Sequence, residues 1–154
     1  MSVRTRAGEG GLQLCALRVG EQEFALDLMR VEEVLRPLPV TAVPGAPGVV
    51  EGVVEVRGVL IPVVNLRRCL GLKPAEQPTR TERLMICLIG RRRFALRVDA
   101  ALEVMRVERA ALRPAPPLRD GTERPFVLGA VGPPSRLRLL LDLKVLLRDR
   151  REVN

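Results

Sequence analysis

A short pattern of apolar strands occurs twice in this chain, and any fold has to house both copies. Phe24-Ala25-Leu26 returns as Phe94-Ala95-Leu96 seventy residues later. At the same offset Val34-Leu35-Arg36 returns as Val104-Met105-Arg106, and Pro62 to Arg67 returns as Leu139 to Lys144 at an offset of 77. Cys69-Leu70 then falls on Leu146-Leu147. Each half has one order: hairpin, kinked segment, loop, hairpin, amphipathic tail. Matched sets of short strands argue for two small β-barrels packed together, here roughly residues 12–72 and 82–147. At 154 residues they fit one domain, over 12–150, with a Gly- and Arg-rich leader at 1–11 read as disordered and a tail at 151–154.

In chain order, alternation from Leu12 predicts a strand with Leu12, Leu14 and Ala16 on one face. Gly20-Glu21 turns it into a second strand over 23–28. The spacing of Met29, Val31, Val34 and Leu35 suits one helical turn or an irregular strand, and Pro37 ends it. Residues 71–81 read as a linker and 113–123 as a second proline-rich loop. Strands are expected from Glu82, after the Gly90-Arg91 turn, and from Arg124 to Val131, with a last hairpin through Gly132-Pro133. Leu143, Leu146 and Leu147 share one face of a short terminal helix that Asp142 caps.

The second hairpin of the first half, Gly52 to Leu72, holds the least ordinary residue. Gly58 takes positive φ without steric cost and is the natural hinge. Pro62 lacks an N–H, which points to an edge position or a bulge for its strand. Arg57 stands at a fixed point beside the turn with little polar nearby. The matching turn of the second half has no Arg-Gly, so the asymmetry argues for a contact rather than a folding need.

Composition narrows function mostly by exclusion. Histidine is absent and serine is confined to Ser2 and Ser135, which removes Ser-His and Cys-His catalysis and the usual metal ligand. No phosphate-cradling glycine motif is present. The expected chain is therefore not an enzyme and takes no cofactor or metal. Cys15, Cys69 and Cys87 lie in apolar runs and read as buried, reduced thiols of a cytoplasmic protein. No window approaches a membrane span, so no membrane insertion is expected. The formal charge of +8 rests on 24 Arg and 2 Lys. It raises nucleic acid as a partner, but the arginines are scattered and no aromatic residues interleave with them to stack bases. What remains is an interaction module.

The residues resemble the CheW-like chemotaxis coupling proteins. The best match runs from Thr41 through Pro44, Pro47 and Gly48 into Gly52, Arg57-Gly58, Pro62 and Asn65-Leu66, ending at Leu72. Val31-Glu32-Glu33-Val34, Val98-Asp99, Arg113 to Pro116, Leu128-Gly129 and Leu141-Asp142-Leu143 extend it across about Leu12 to Leu147. The resemblance implies a mainly β fold of two intertwined five-stranded barrels, with strands open to exchange between the halves and short helices including a C-terminal one. It also implies an adaptor joining the tip of a methyl-accepting chemoreceptor to a CheA-type histidine kinase, with assembly into receptor–kinase arrays. Carried over by position, Val31, Glu33 and Arg57 would face the receptor. The chain departs from the family pattern at Glu55, Asn65, Ala25, Ala95 and Arg97. The alternative functions are a basic adaptor for a polyanion such as nucleic acid, or a coupling protein that keeps one partner only.

Overall fold

The computed structural model describes residues 11–75, 77, 79–116 and 125–151. The expected leader, save Gly11, lies outside them, as do residues 152–154 and much of the second proline-rich loop. Among the described residues, ten strands and two short helices follow one another along the chain. The first five strands are β1 (Gly11–Val19), β2 (Gln22–Asp27), β3 (Val31–Leu35), β4 (Val50–Val56) and β5 (Val59–Asn65), followed by α1 (Leu66–Cys69). The second half repeats them as β6 (Arg83–Ile89), β7 (Arg92–Val98), β8 (Ala100–Glu108), β9 (Val127–Val131) and β10 (Arg138–Leu141), followed by α2 (Leu143–Arg151).

The sheets do not follow the sequence halves. One is ordered β8-β1-β2-β10-β9 and the other β3-β6-β7-β5-β4. Each half gives its first hairpin to one sheet and its remaining three strands to the other. The two sheets therefore have the same order with the halves interchanged.

Neither sheet closes through a continuous ladder; each is pinned at one point. Thr41, in the chain leaving edge strand β3, exchanges two 2.9 Å backbone hydrogen bonds with Val53 of the opposite edge β4. Arg113, in the chain leaving β8, does the same with Ala130 of β9, at 2.9 and 2.8 Å. The crossing chain explains two glycines. A Cβ on Gly52 would stand 2.1 Å from the Thr41 carbonyl oxygen, and one on Gly129 would stand 2.7 Å from that of Arg113.

Three apolar clusters form among the described residues. Val54, Ile61, Val63, Leu84 and Ile86 lie inside the β3–β7 sheet, and Leu12, Leu14, Val131 and Leu140 inside the other. The largest cluster, including Leu17, Phe24, Leu26, Met85, Cys87, Phe94 and Leu96, packs between the sheets. Central strands are thus covered on both faces. In β1 this buries Cys15, Leu17 and Val19 as fully as Leu12, Leu14 and Ala16, so the strand is not half-solvated as alternation suggests.

Two sequence expectations change in detail. The strand containing Pro62 is interior, between β7 and β4, and not an edge. Its parallel ladder to β7 begins at Val63, one residue after the proline, whereas the matching β10–β2 ladder starts earlier and includes Leu139 opposite Phe24. Pro62 displaces the ladder toward α1 without shortening it, each ladder having three pairs, and leaves the strand inside the sheet. The strand expected from Arg124 begins at Val127, after a turn at residues 125 and 126. The kinked segment after β2 contains both expected structures, a 3-10 turn over Leu28–Arg30 and then β3.

Candidate functional site

Arg57 and Gly58 form the two-residue turn between β4 and β5, flanked by the Val56–Val59 pair. Their φ angles of 49° and 81° are both left-handed, as a twist-matched hairpin turn requires. Gly58 meets that demand freely. Arg57 is the one non-glycine residue at positive φ among the described residues. Holding an L-residue there costs roughly 1–2 kcal/mol.

The Arg57 guanidinium pairs with the Glu33 carboxylate on β3. Because β3 and β4 are the two edges of this sheet, the pair spans the gap between them at the barrel mouth. A bulge brings the acid there: Val31 pairs with Cys87 and Glu33 with Ile86, leaving Glu32 unmatched. The extra residue lets consecutive Glu32 and Glu33 line the same concavity. Arg93, at the start of β7, donates to both oxygens of Glu32 at 2.6 and 3.2 Å. That hydrogen bonding holds the Glu32 carboxyl below its ordinary pKa.

The two ion pairs rim a concavity of about 240 Å³ whose lining includes the buried Val56, Ile61 and Ile86 and the exposed Val59. Arg57 is 72% exposed and Glu33 29%. An ion pair this open contributes on the order of 0–1 kcal/mol. That offsets the backbone cost of Arg57 only in part, so folding alone does not account for an arginine here.

Of the three residues singled out from the sequence, Glu33 and Arg57 meet in one pair. Val31 does not line the concavity; it is partly buried and packs on the inter-sheet core. Sequence reasoning missed Glu32, Arg93 and Ile61. Arg93 sits in the Arg91-Arg92-Arg93 run, where strand register, invisible in composition, decides which arginine faces the mouth.

The mouth of the other sheet is built differently. Arg138, the repeat counterpart of Ile61, is buried with its side chain 9% exposed. It donates through Nε to Glu23 at 2.7 Å and through Nη2 to Glu103 at 2.5 Å. Hydrogen bonding from Arg138 holds the Glu23 carboxyl below its ordinary pKa. One mouth is thus plugged by a bound guanidinium, and the other is open with an apolar floor.

Between the sheets, Arg67 grips Asp99 through two nitrogens at 3.2 and 2.8 Å, and the Gly20 N–H donates to the same carboxylate at 2.7 Å. Burial opposes ionisation of Asp99, but these donors outweigh it and its pKa is lowered. Arg97 pairs with Glu51 and Glu82, so the arginine that departs from the family pattern is met by two carboxylates. The three cysteines are buried, and burial raises the thiol pKa of Cys87 and Cys15. None of the described residues group into a set of three or more potential metal ligands.

A family model described as CheW-like domain matches residues 13–151. A chemotaxis protein CheW of Rhizobium meliloti is 35% identical over 134 residues, covering 87% of this chain and 86% of its own. A probable chemotaxis protein CheW of Rhizobium etli is 32% identical over 141 residues, covering 92% and 90%. Among solved structures, the scaffolding protein TtCheW from Thermoanaerobacter tengcongensis superposes with a TM-score of 0.74 at 26% identity, over 84% of this chain and 87% of that one.

Proposed function

The chain belongs to the CheW-like domain family of non-catalytic chemotaxis scaffold proteins, and from that premise we propose that it couples the tip of a methyl-accepting chemoreceptor to a CheA-type histidine kinase in the cytoplasm. The open mouth around Glu33 and Arg57 receives the receptor, and Val31 supports β3 beneath it. The observation that carries this reading is Arg57 itself. It occupies a left-handed backbone position, contributes little to folding through an exposed pair, and stands over an apolar floor. A guanidinium so placed offers two parallel donors to a carboxylate or to backbone carbonyls, which a lysine cannot match.

The direct test is a pull-down with the purified chain, probed separately for receptor and kinase. Capture of both supports coupling, and capture of one supports an adaptor with a single partner. Capture of nucleic acid, with affinity falling steeply as salt rises, would instead mark a polyanion binder.

A further inference from the structure

We propose a second docking surface, at the end of the β3–β7 sheet formed by the β6–β7 turn and the 3-10 turn Leu28–Arg30, which binds an acidic helical segment carrying an apolar anchor. It goes beyond the Arg57 reading and does not depend on it.

Met29 is 63% exposed, the second most exposed large apolar side chain described. It does not lie there by slack: the buried Asp27 carboxylate accepts the Met29 N–H at 3.0 Å and fixes the turn that presents it. Met29, Arg30, Leu88 and Gly90 line a concavity of about 260 Å³. Arg91 and Arg92 continue from Gly90 around the hairpin tip, both exposed.

Arg57, Arg67, Arg93, Arg97, Arg136 and Arg138 each face a carboxylate. Arg30, Arg91 and Arg92 form no ion pair among the described residues. Basic side chains without an ion pair also occur elsewhere among the described residues, at Arg36 and Arg80, but at this end they lie near the exposed Met29. The acids on the neighbouring elements are already committed. Asp27 accepts from a backbone amide, Glu32 holds Arg93, and Glu33 holds Arg57. Uncompensated guanidinium groups at Arg30 and at the Arg91 turn, near a thioether and a leucine, suit glutamates flanking one buried apolar side chain, while Arg92, paired with Ile89, lies on the other face of β7. A flexible, polarisable methionine adapts to a leucine or an aromatic anchor alike. Nucleic acid is the poorer fit, since no aromatic side chain lines this concavity to stack on a base.

The test uses the full chain labelled at its methionine methyl carbons and a synthetic helical peptide with a leucine row flanked by glutamates. Its glutamine-for-glutamate counterpart, a DNA duplex and vesicles of anionic lipid serve as comparison probes. The expected result is a shift of the Met29 methyl resonance by the acidic peptide, with the buried Met85 unmoved. The variant Arg91→Glu, at an exposed turn position that leaves the core untouched, should weaken that binding at least tenfold. The glutamine peptide should bind at least tenfold more weakly than the acidic one. An acidic peptide that leaves Met29 unshifted, an affinity indifferent to the charge reversal, or equal binding of DNA or vesicles at Met29 would overturn the proposal.

Discussion

Arg57 holds a backbone conformation that glycine would hold at lower energy. Arg57→Gly is therefore expected to raise stability by about 1 kcal/mol in urea unfolding, after loss of the weak Glu33 pair is set against relief of φ. A receptor-facing arginine predicts that the same variant, though more stable, loses receptor affinity. Arg138 behaves in the opposite way. Replacing it with methionine removes a buried cation held by Glu23 and Glu103 and leaves Glu23 without its principal donor, for an expected loss of about 2–4 kcal/mol. Arg57 was legible as unusual because it stands beside a turn glycine. Arg138 was not, because nothing in an apolar run announces that one of its arginines points inward toward two distant acids.

At the scale of elements, the repeat extends to caps and crossings. Asn65 accepts the N–H groups of Arg67 and Arg68 at the start of α1, and Asp142 accepts those of Lys144 and Val145 at the start of α2. These positions align at the same offset as the strands before them. Asp142→Ala should cost about 1 kcal/mol, seen as a lower urea midpoint with unchanged slope. Gly52→Ala meets backbone rather than a movable side chain, so a larger loss, about 2–4 kcal/mol, is expected, with Gly129→Ala following it in the second half. The strands and terminal cap could be read from periodicity and residue type. The need for glycine at 52 and 129 could not, because it arises from a chain segment that crosses from the far edge of the sheet.

Across the whole molecule, exchange of strands between the halves makes the two sheets one folding unit with a shared core. A twofold repeat is visible in sequence, but which hairpin joins which sheet is decided by packing between segments far apart in the chain. The same long-range closure places carboxylates against arginines from remote strands. Glu23 and Asp99 bind protons more weakly folded than unfolded. Their contribution is complete above their unfolded pKa values and is lost as pH falls through the lower folded ones. The urea midpoint should accordingly hold from pH 7 to about pH 5 and decline below about pH 4.5, with a shallower decline in Arg138→Met. Repeat symmetry also sharpens the functional reading. Two equivalent mouths would bind two equivalent partners, but Arg138 fills one while Ile61 leaves the other open.

The central claim is that the open mouth binds the receptor through Arg57. Co-sedimentation of the full chain and its folded Arg57→Ala variant with receptor-bearing membranes, in parallel with capture by the kinase, measures it directly. The account predicts a loss of receptor affinity of about 1–3 kcal/mol, roughly five- to 150-fold, with kinase capture showing whether the same residue also serves the kinase. Equal receptor co-sedimentation by the variant and the parent chain would contradict it.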